Sequence, residues 1–229
     1  MQAQDTTADW LLKLWPWFEA NAKRFLYLGV FAAIAVFLIS FYSWRQNQRQ
    51  VEAGDAFTQA LTSGNGGQNA DTFLKIAADY SGTSAGQRAL LQGATLLFVA
   101  GKYADAQVQF QKFLDTYPDN SFAAQANLGV AASLDAQEKT DLAANAYQRV
   151  ANQYSDGSVV IAAKFGLAQI YERQGKISDA QRFYEDVART YQGSSMSSEA
   201  QLQLMRLRTK FPAAAAPAST TPAPFSLSH

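Results

Sequence analysis

From Phe25 to Trp44 the chain reads FLYLGVFAAIAVFLISFYSW, twenty positions without a charge. At about 1.5 Å of rise per residue, a helix of that length matches the ~30 Å hydrocarbon core of a bilayer. Lys23 and Arg24 stand on one side of the run, Arg45 and Arg49 on the other. Trp10, Trp15 and Trp17 precede it and Trp44 closes it, the belt expected of amphipathic indoles at the headgroup level. The pattern predicts a transmembrane helix over 25–44. A cleavable signal peptide is the competing assignment, but its apolar core is shorter and ends at a small-x-small site. This run starts after two dozen residues and ends in FYSWRQ. The preceding DWLLKLWPWFEANAKR mixes tryptophan and leucine with charges, as an interfacial segment over 1–24 would. Pro16 is expected to break or begin a short helix there. Within the span, Gly29 and Ala33 form a small-x-x-x-small pair that could let two helices approach.

Beyond the span the pattern repeats. Tyr80, Tyr117, Tyr154 and Tyr191 are each 37 residues apart. Phe73, Phe110, Tyr147 and Tyr184 keep the same register seven residues upstream. Ser84, Ser121, Ser158 and Ser195 follow the tyrosines by four, and Ala89, Ala126, Ala163 and Ala200 come five later. Such a period is the mark of stacked supersecondary units. Each serine is placed to cap a helix of about four turns, which ends at Gly101-Lys102, Glu138-Lys139 or Gly175-Lys176. Second helices run through ADAQVQFQKFLDTY, DLAANAYQRVANQY and SDAQRFYEDVARTY, with apolar residues at helical spacing such as Tyr147, Val150, Ala151 and Tyr154. Tyr117-Pro118-Asp119 closes one hairpin, since proline forbids continuation. Alanines let paired helices approach, and aromatics fill the space between hairpins. The SGNGG run at 63–67 fits a hairpin turn; it lacks the Lys-Ser/Thr of a phosphate loop.

The unit resembles the tetratricopeptide repeat (TPR), through Leu167, Ala168, Tyr171, Gly175, Ala180 and Tyr184 in one copy and Ala94, Gly101, Ala106, Phe110 and Pro118 in another. Each copy carries three residues beyond the basic 34 of that repeat, in the loop between tyrosine and serine. The 37-residue form with a Y-P-D-x-S loop is similar to bacterial envelope TPR proteins, including periplasmic cell-division coordinators and outer-membrane assembly lipoproteins. The resemblance implies an all-α fold. It consists of an N-terminal transmembrane helix followed by a right-handed α-solenoid of about 3.5 to 4 hairpins with a 37-residue period. The expected organisation is an interfacial segment over 1–24, the span over 25–44, the solenoid over 45–210 and a disordered Pro/Ala-rich tail over 211–229.

The order of parts, with Trp17, Phe18, Glu19, Asn21 and Lys23 before the span, also resembles the YfgM-like family of ancillary subunits of the SecYEG translocon. That likeness implies a membrane-anchored, protein-binding scaffold in the bacterial inner membrane. Its partners would be the translocon, periplasmic chaperones or exported clients. Three basic residues before the span (Lys13, Lys23, Arg24) against two after it (Arg45, Arg49) lean toward a cytoplasmic N-terminus and periplasmic repeats. A cytoplasm-facing adaptor for complex assembly and a cell-division or outer-membrane coordinator are the alternatives.

In TPR arrays the first helix of each hairpin lines the concave groove. By register the resemblance implies a groove of Arg88, Leu91, Thr95 and Phe98, then Gln125, Leu128 and Asp135, then Phe165, Gln169 and Glu172. Phe98 and Phe165 would be apolar anchors, with Arg88 and Glu172 orienting the partner from opposite ends. The carboxylate-clamp positions of chaperone-binding TPRs carry Leu91, Thr95, Gly129, Ala162 and Gly166 here, so that mode is not expected.

Composition narrows the chemistry. Apolar residues make up 48% of the chain, enough for a core, and 19 basic residues balance 19 acidic ones, which argues against nucleic acid as a partner. With no cysteine and His229 the only histidine, thiolate and histidine chemistry is excluded. Carboxylate neighbours such as Asp135 with Glu138, or Glu185 with Asp186, lie on helices beside basic residues, as solvated faces do. No catalytic, cofactor-binding or metal-binding constellation is recognisable, and the sequence reads as a non-enzyme.

Overall fold

The computed structural model describes residues 6–63, 69–155, 157–190 and 192–212, without side chains for 6–20, 22, 25 and 28. The glycines expected to form a hairpin turn, Tyr191 of the tyrosine column, the tail from 213 onward and the indoles of Trp10, Trp15 and Trp17 lie outside the described residues. The described residues form α-helices joined by short turns: α1 (Thr6–Thr62), α2 (Ala70–Asp79), α3 (Ser84–Val99), α4 (Tyr103–Thr116), α5 (Ala123–Ala136), α6 (Thr140–Gln153), α7 (Gly157–Arg173), α8 (Ile177–Thr190) and α9 (Ser195–Lys210). The chain divides into two compact units, Met1–Asp55 and Ala56–His229.

In the first unit α1 continues through Pro16, where the sequence led us to expect a helix to break or begin. A proline inside a helix removes one i→i−4 hydrogen bond, and the bonds of the turns around it carry the backbone past. The stretch Gly29–Thr62 of α1 is long and apolar enough to cross a membrane. Its large side chains are uncovered: Phe31 is 75% exposed and Ile39 69%.

The second unit is built from helix pairs. The end of α1 packs on α2 through Phe57 and Phe73, whose rings meet edge-on at 5.6 Å. Then α3 pairs with α4, α5 with α6 and α7 with α8, and α9 closes the array alone. Close approach depends on three alanine columns. Ala94, Ala131 and Ala168 in the first helices, Ala106, Ala143 and Ala180 in the second, and Ala89, Ala126, Ala163 and Ala200 near the helix starts are all fully buried. The aromatic column Phe73, Phe110, Tyr147 and Tyr184 is buried with them.

The helix ends follow the sequence at one terminus and depart from it at the other. At the C-termini of α3, α5 and α7, Gly101, Glu138 and Gly175 adopt positive φ. The next N–H donates back to a carbonyl five residues earlier: Lys102 to Leu97, Lys139 to Leu134 and Lys176 to Tyr171, at 2.9–3.0 Å. These are Schellman turns, which satisfy carbonyls left over at a helix end. At the N-termini of α3 and α9 the serine column lies one residue too late. Thr83 caps α3, its hydroxyl accepting from the Gly86 N–H at 3.0 Å, and Ser194 caps α9 by accepting from Ser197. Both have the extended backbone a cap requires, so Ser84 and Ser195 are already helical. Ahead of α5 the cap residue Phe122 has no capping side chain, and Asn120 accepts from its N–H at 2.9 Å. Across the loops Tyr117 binds back one repeat, its hydroxyl accepting from the Gly82 N–H at 3.1 Å.

Candidate protein-binding groove

The 37-residue register brings the side chains of α3 and α5 into matching rows: Arg88 with Gln125, Leu91 with Leu128, Thr95 with Ala132, and Phe98 with Asp135. Three adjoining cavities run along these rows. The first, of about 230 Å³, lies between Phe57, Arg88, Leu91, Thr95, Phe122 and Gln125. The second, about 180 Å³, lies between Thr95, Phe98, Phe110, Gln125 and Leu128. The third, about 480 Å³, reaches from Phe122, Gln125 and Leu128 to Ser158 and Val159 at the start of α7. Gln125 lines all three.

Local bonds fix the lining. The Thr95 hydroxyl donates to the Leu91 carbonyl at 2.8 Å, which satisfies it within α3. Asn120 donates to Gln87 at 2.8 Å while accepting from the Phe122 N–H, which holds Phe122 where α3 faces α5. The Phe98 ring leans on Tyr103 at 5.2 Å and remains half-buried. Arg88 and Gln125 are exposed, Leu128 is half-buried and Leu91 is buried.

The lower rows behave differently. Asp135 pairs with Arg173, and Glu172 pairs with Arg206 at 2.5 Å while accepting from the Tyr184 hydroxyl at 3.3 Å. Both acids are committed within the chain, tying α5 to α7 and α7 to α9. Phe165 gives its ring edge-on to Tyr184 at 5.3 Å, and Gln169 is exposed on α7. Apart from Gln169, which is exposed on α7, and Thr95, which lines two of the cavities, the groove residues expected from sequence separate into two sets. Arg88, Leu91, Phe98, Gln125 and Leu128 line the run of cavities, whereas Asp135, Phe165 and Glu172 are engaged in contacts between helices. Phe57 and Phe122 are additional lining residues. Phe122 directly follows the serine column and had a signal in its position; Phe57 precedes the first complete copy and had none.

The electrostatics follow the same division. Arg88 makes no ion pair among the described residues, and no carboxylate lines the three cavities. A larger cavity of about 800 Å³ lies among α6, α7, α8 and α9, but its charges are largely paired within the chain. Lys164 pairs with Asp186 at 2.5 Å and Glu185 with Arg208 at 2.8 Å. Burial alone would raise the Asp186 carboxyl; the hydrogen bonds from Lys164 and Thr190 and the charges of Lys164 and Arg189 outweigh it and hold it below the usual value.

Residues 16–209 match the tetratricopeptide repeat-like domain family. The chain belongs to that family. Two solved structures of a kinesin light chain of Podosopora anserina with nearly identical TPR-like repeats are similar to it. One, a form with a single substitution, has a TM-score of 0.51 and the other 0.50, and both are 13% identical. They cover 74% of this chain and 89% and 90% of theirs, and the likeness is one of fold. None of the curated protein sequences matches the chain. Membership of this repeat-like family makes the protein a scaffold for protein–protein contact, the role stacked repeats serve through their extended surfaces.

Proposed function

We propose that the protein is a membrane-anchored scaffold that binds other proteins through the groove along α3 and α5. The observation that carries this is the run of three adjoining cavities, apolar at Leu91, Phe98 and Leu128, on a surface where the other prominent side chains are already spent on neighbouring helices. Anchoring rests on the apolar stretch of α1, whose exposed Phe31 and Ile39 call for lipid or a partner helix. The family match from residue 16 takes in this stretch together with the repeats, which supports reading anchor and solenoid as one functional arrangement. The span over 25–44, the solenoid over 45–210 and the tail over 211–229 are the working boundaries.

The orientation we infer is N-terminus inside, repeats outside, from the lean in flanking Lys and Arg. With the YfgM-like resemblance, this favours a bacterial inner-membrane protein whose partners are the secretion machinery, periplasmic chaperones or exported chains.

Crosslinking of the intact protein in its membrane, followed by mass spectrometry, tests the reading. Changing Phe98 and Leu128 together to alanine is expected to remove the partner crosslinks while helical content is kept. Crosslinks that persist through this change place recognition elsewhere. Protease added to spheroplasts should digest the repeats and spare residues before Phe25. Repeats protected until the membrane is opened would support the cytoplasm-facing adaptor instead.

A further inference from the structure

We propose that the bare face of α9 pairs with the same face of a second copy of this chain, the two helices running antiparallel about a two-fold axis. This surface lies apart from the α3–α5 groove, whose three cavities no residue of α9 lines. One side of α9 is occupied: Ala200, Leu204 and Leu207 pack with Tyr184 and Val187 of α8. On the opposite side Ser198, Leu202, Met205 and Thr209 form an exposed stripe, with Leu202 55% and Met205 61% exposed. Their spacing of four, three and four residues is that of a seam between paired helices. No further helix covers the stripe among the described residues.

The repeat register shows what the stripe suits. Met205 falls 37 residues after Ala168, at the position that Ala94, Ala131 and Ala168 hold in the earlier first helices. Those alanines are fully buried, each where a first helix receives the second helix of its own hairpin. Methionine is too large for that close approach, so α9 is not shaped to take a second helix of the repeat type. Leucine and methionine on the seam instead suit a helix at the wider end of the usual ~8–10 Å separation.

Charge decides which helix that is. Glu199 and Arg206 stand seven residues apart on one flank of the stripe, both exposed. An antiparallel pair that opposes Leu202 of one copy to Met205 of the other brings Glu199 of each chain toward Arg206 of the other, twice by symmetry. A parallel pair would set Glu199 against Glu199 and Arg206 against Arg206. Neither group has to give up its contact within the chain. Glu199 accepts from Gln203 and Arg206 donates to Glu172, each at 2.5 Å, while a carboxylate keeps further lone pairs and a guanidinium further donors. With 16 residues, α9 is about 24 Å long, so the contact belongs with the small, reversible interfaces.

The chain contains no cysteine, so introduced thiols report on their own positions alone. Ser198→Cys and Thr209→Cys are made in separate full-length chains, co-expressed with different tags, and treated in intact cells with a short bismaleimide. In the antiparallel register position 198 of one copy faces position 209 of the other, whereas the two copies of position 198 lie about 16 Å apart along the axis. The mixture should give a doubly tagged adduct of twice the chain mass, and either variant alone should give little. Leu202→Glu with Met205→Glu should abolish the adduct; because both positions are exposed, circular dichroism should stay as in the wild type. At low expression Glu199→Arg should lower the yield about threefold to tenfold, the scale of two exposed ion pairs. Adducts from each variant alone that match the mixture would show a parallel pair and overturn the inference. So would an absence of dimer adducts, or adducts formed only within one chain or with another protein.

Discussion

The ring of Tyr147 lies against the bare Cα of Gly166, so close that a Cβ on Gly166 would stand 2.7 Å from Cζ and 2.9 Å from both Cε carbons. One repeat earlier, Phe110 meets Gly129 in the same way, at 2.6 Å. The second helix of each of these hairpins thus inserts an aromatic face into a gap on the first helix of the next. This is a lock between repeats, and a solenoid's stability resides largely in such interfaces.

Gly166→Ala should therefore destabilise the array although alanine is the better helix former. Helix propensity favours the change by about 1 kcal/mol, whereas overpacking a close-packed site costs about 1–3 kcal/mol. Tyr147 is 6% exposed and cannot withdraw into solvent. The net loss should reach up to about 2 kcal/mol in urea unfolding followed by circular dichroism. Unchanged or raised stability would mean that the ring moves freely.

Glu138 should respond in the opposite direction. It holds φ at 60° in the turn where the neighbouring copies carry Gly101 and Gly175. A left-handed conformation costs a residue with a Cβ about 1–2 kcal/mol, partly offset by the flexibility glycine adds to the unfolded chain. Glu138→Gly is expected to stabilise by up to about 1 kcal/mol in the same unfolding measurement. A loss of that size would show that the Glu138 side chain contributes something glycine cannot.

The pH dependence has two limbs. Asp186 is held below the ordinary carboxylate range by Lys164, Thr190 and Arg189 against the opposing effect of burial. With its folded pKa lower than the unfolded one, its contribution is present above about pH 4 and is lost as the pH falls through the folded value. Tyr147 and Tyr184 are shifted the other way. Burial raises both, reinforced for Tyr147 by the charge of Asp135 and for Tyr184 by the charge and hydrogen bond of Glu172. Their contribution is full below about pH 10 and declines as the pH climbs toward the raised folded values. Melting temperature should fall at both extremes. Asp186→Asn should flatten the acid limb, and Tyr147→Phe with Tyr184→Phe should flatten the alkaline one. Limbs that keep their slopes would reassign the titration to other groups.

Much of this was legible in the sequence because local chemistry dictates it. The alanine columns are buried because helix approach admits nothing larger there, and Gly101 and Gly175 mark helix ends because only the left-handed turn closes them. The N-caps of α3 and α9 were read one residue late. The serine column is a real periodicity, but Thr83 and Ser194, just before it, have the extended backbone from which a hydroxyl reaches back to the helix. The division of the groove was not legible. The partners of Asp135 and Glu172 are Arg173 and Arg206, 38 and 34 residues away in the next first helix. Ion pairs across repeats leave no local pattern, and the same holds for the Phe165 contact with Tyr184.

The most direct measurement is a photo-crosslinking pair on the full chain in its own membrane. A photoreactive phenylalanine analogue replaces Thr95, which lines two of the groove cavities, or Val108 on α4, which is 61% exposed and lines none of the three. The account predicts discrete partner adducts from position 95, reduced when Leu128→Ala is added, and none of those adducts from position 108. Adducts from position 108 with none from position 95 would contradict it.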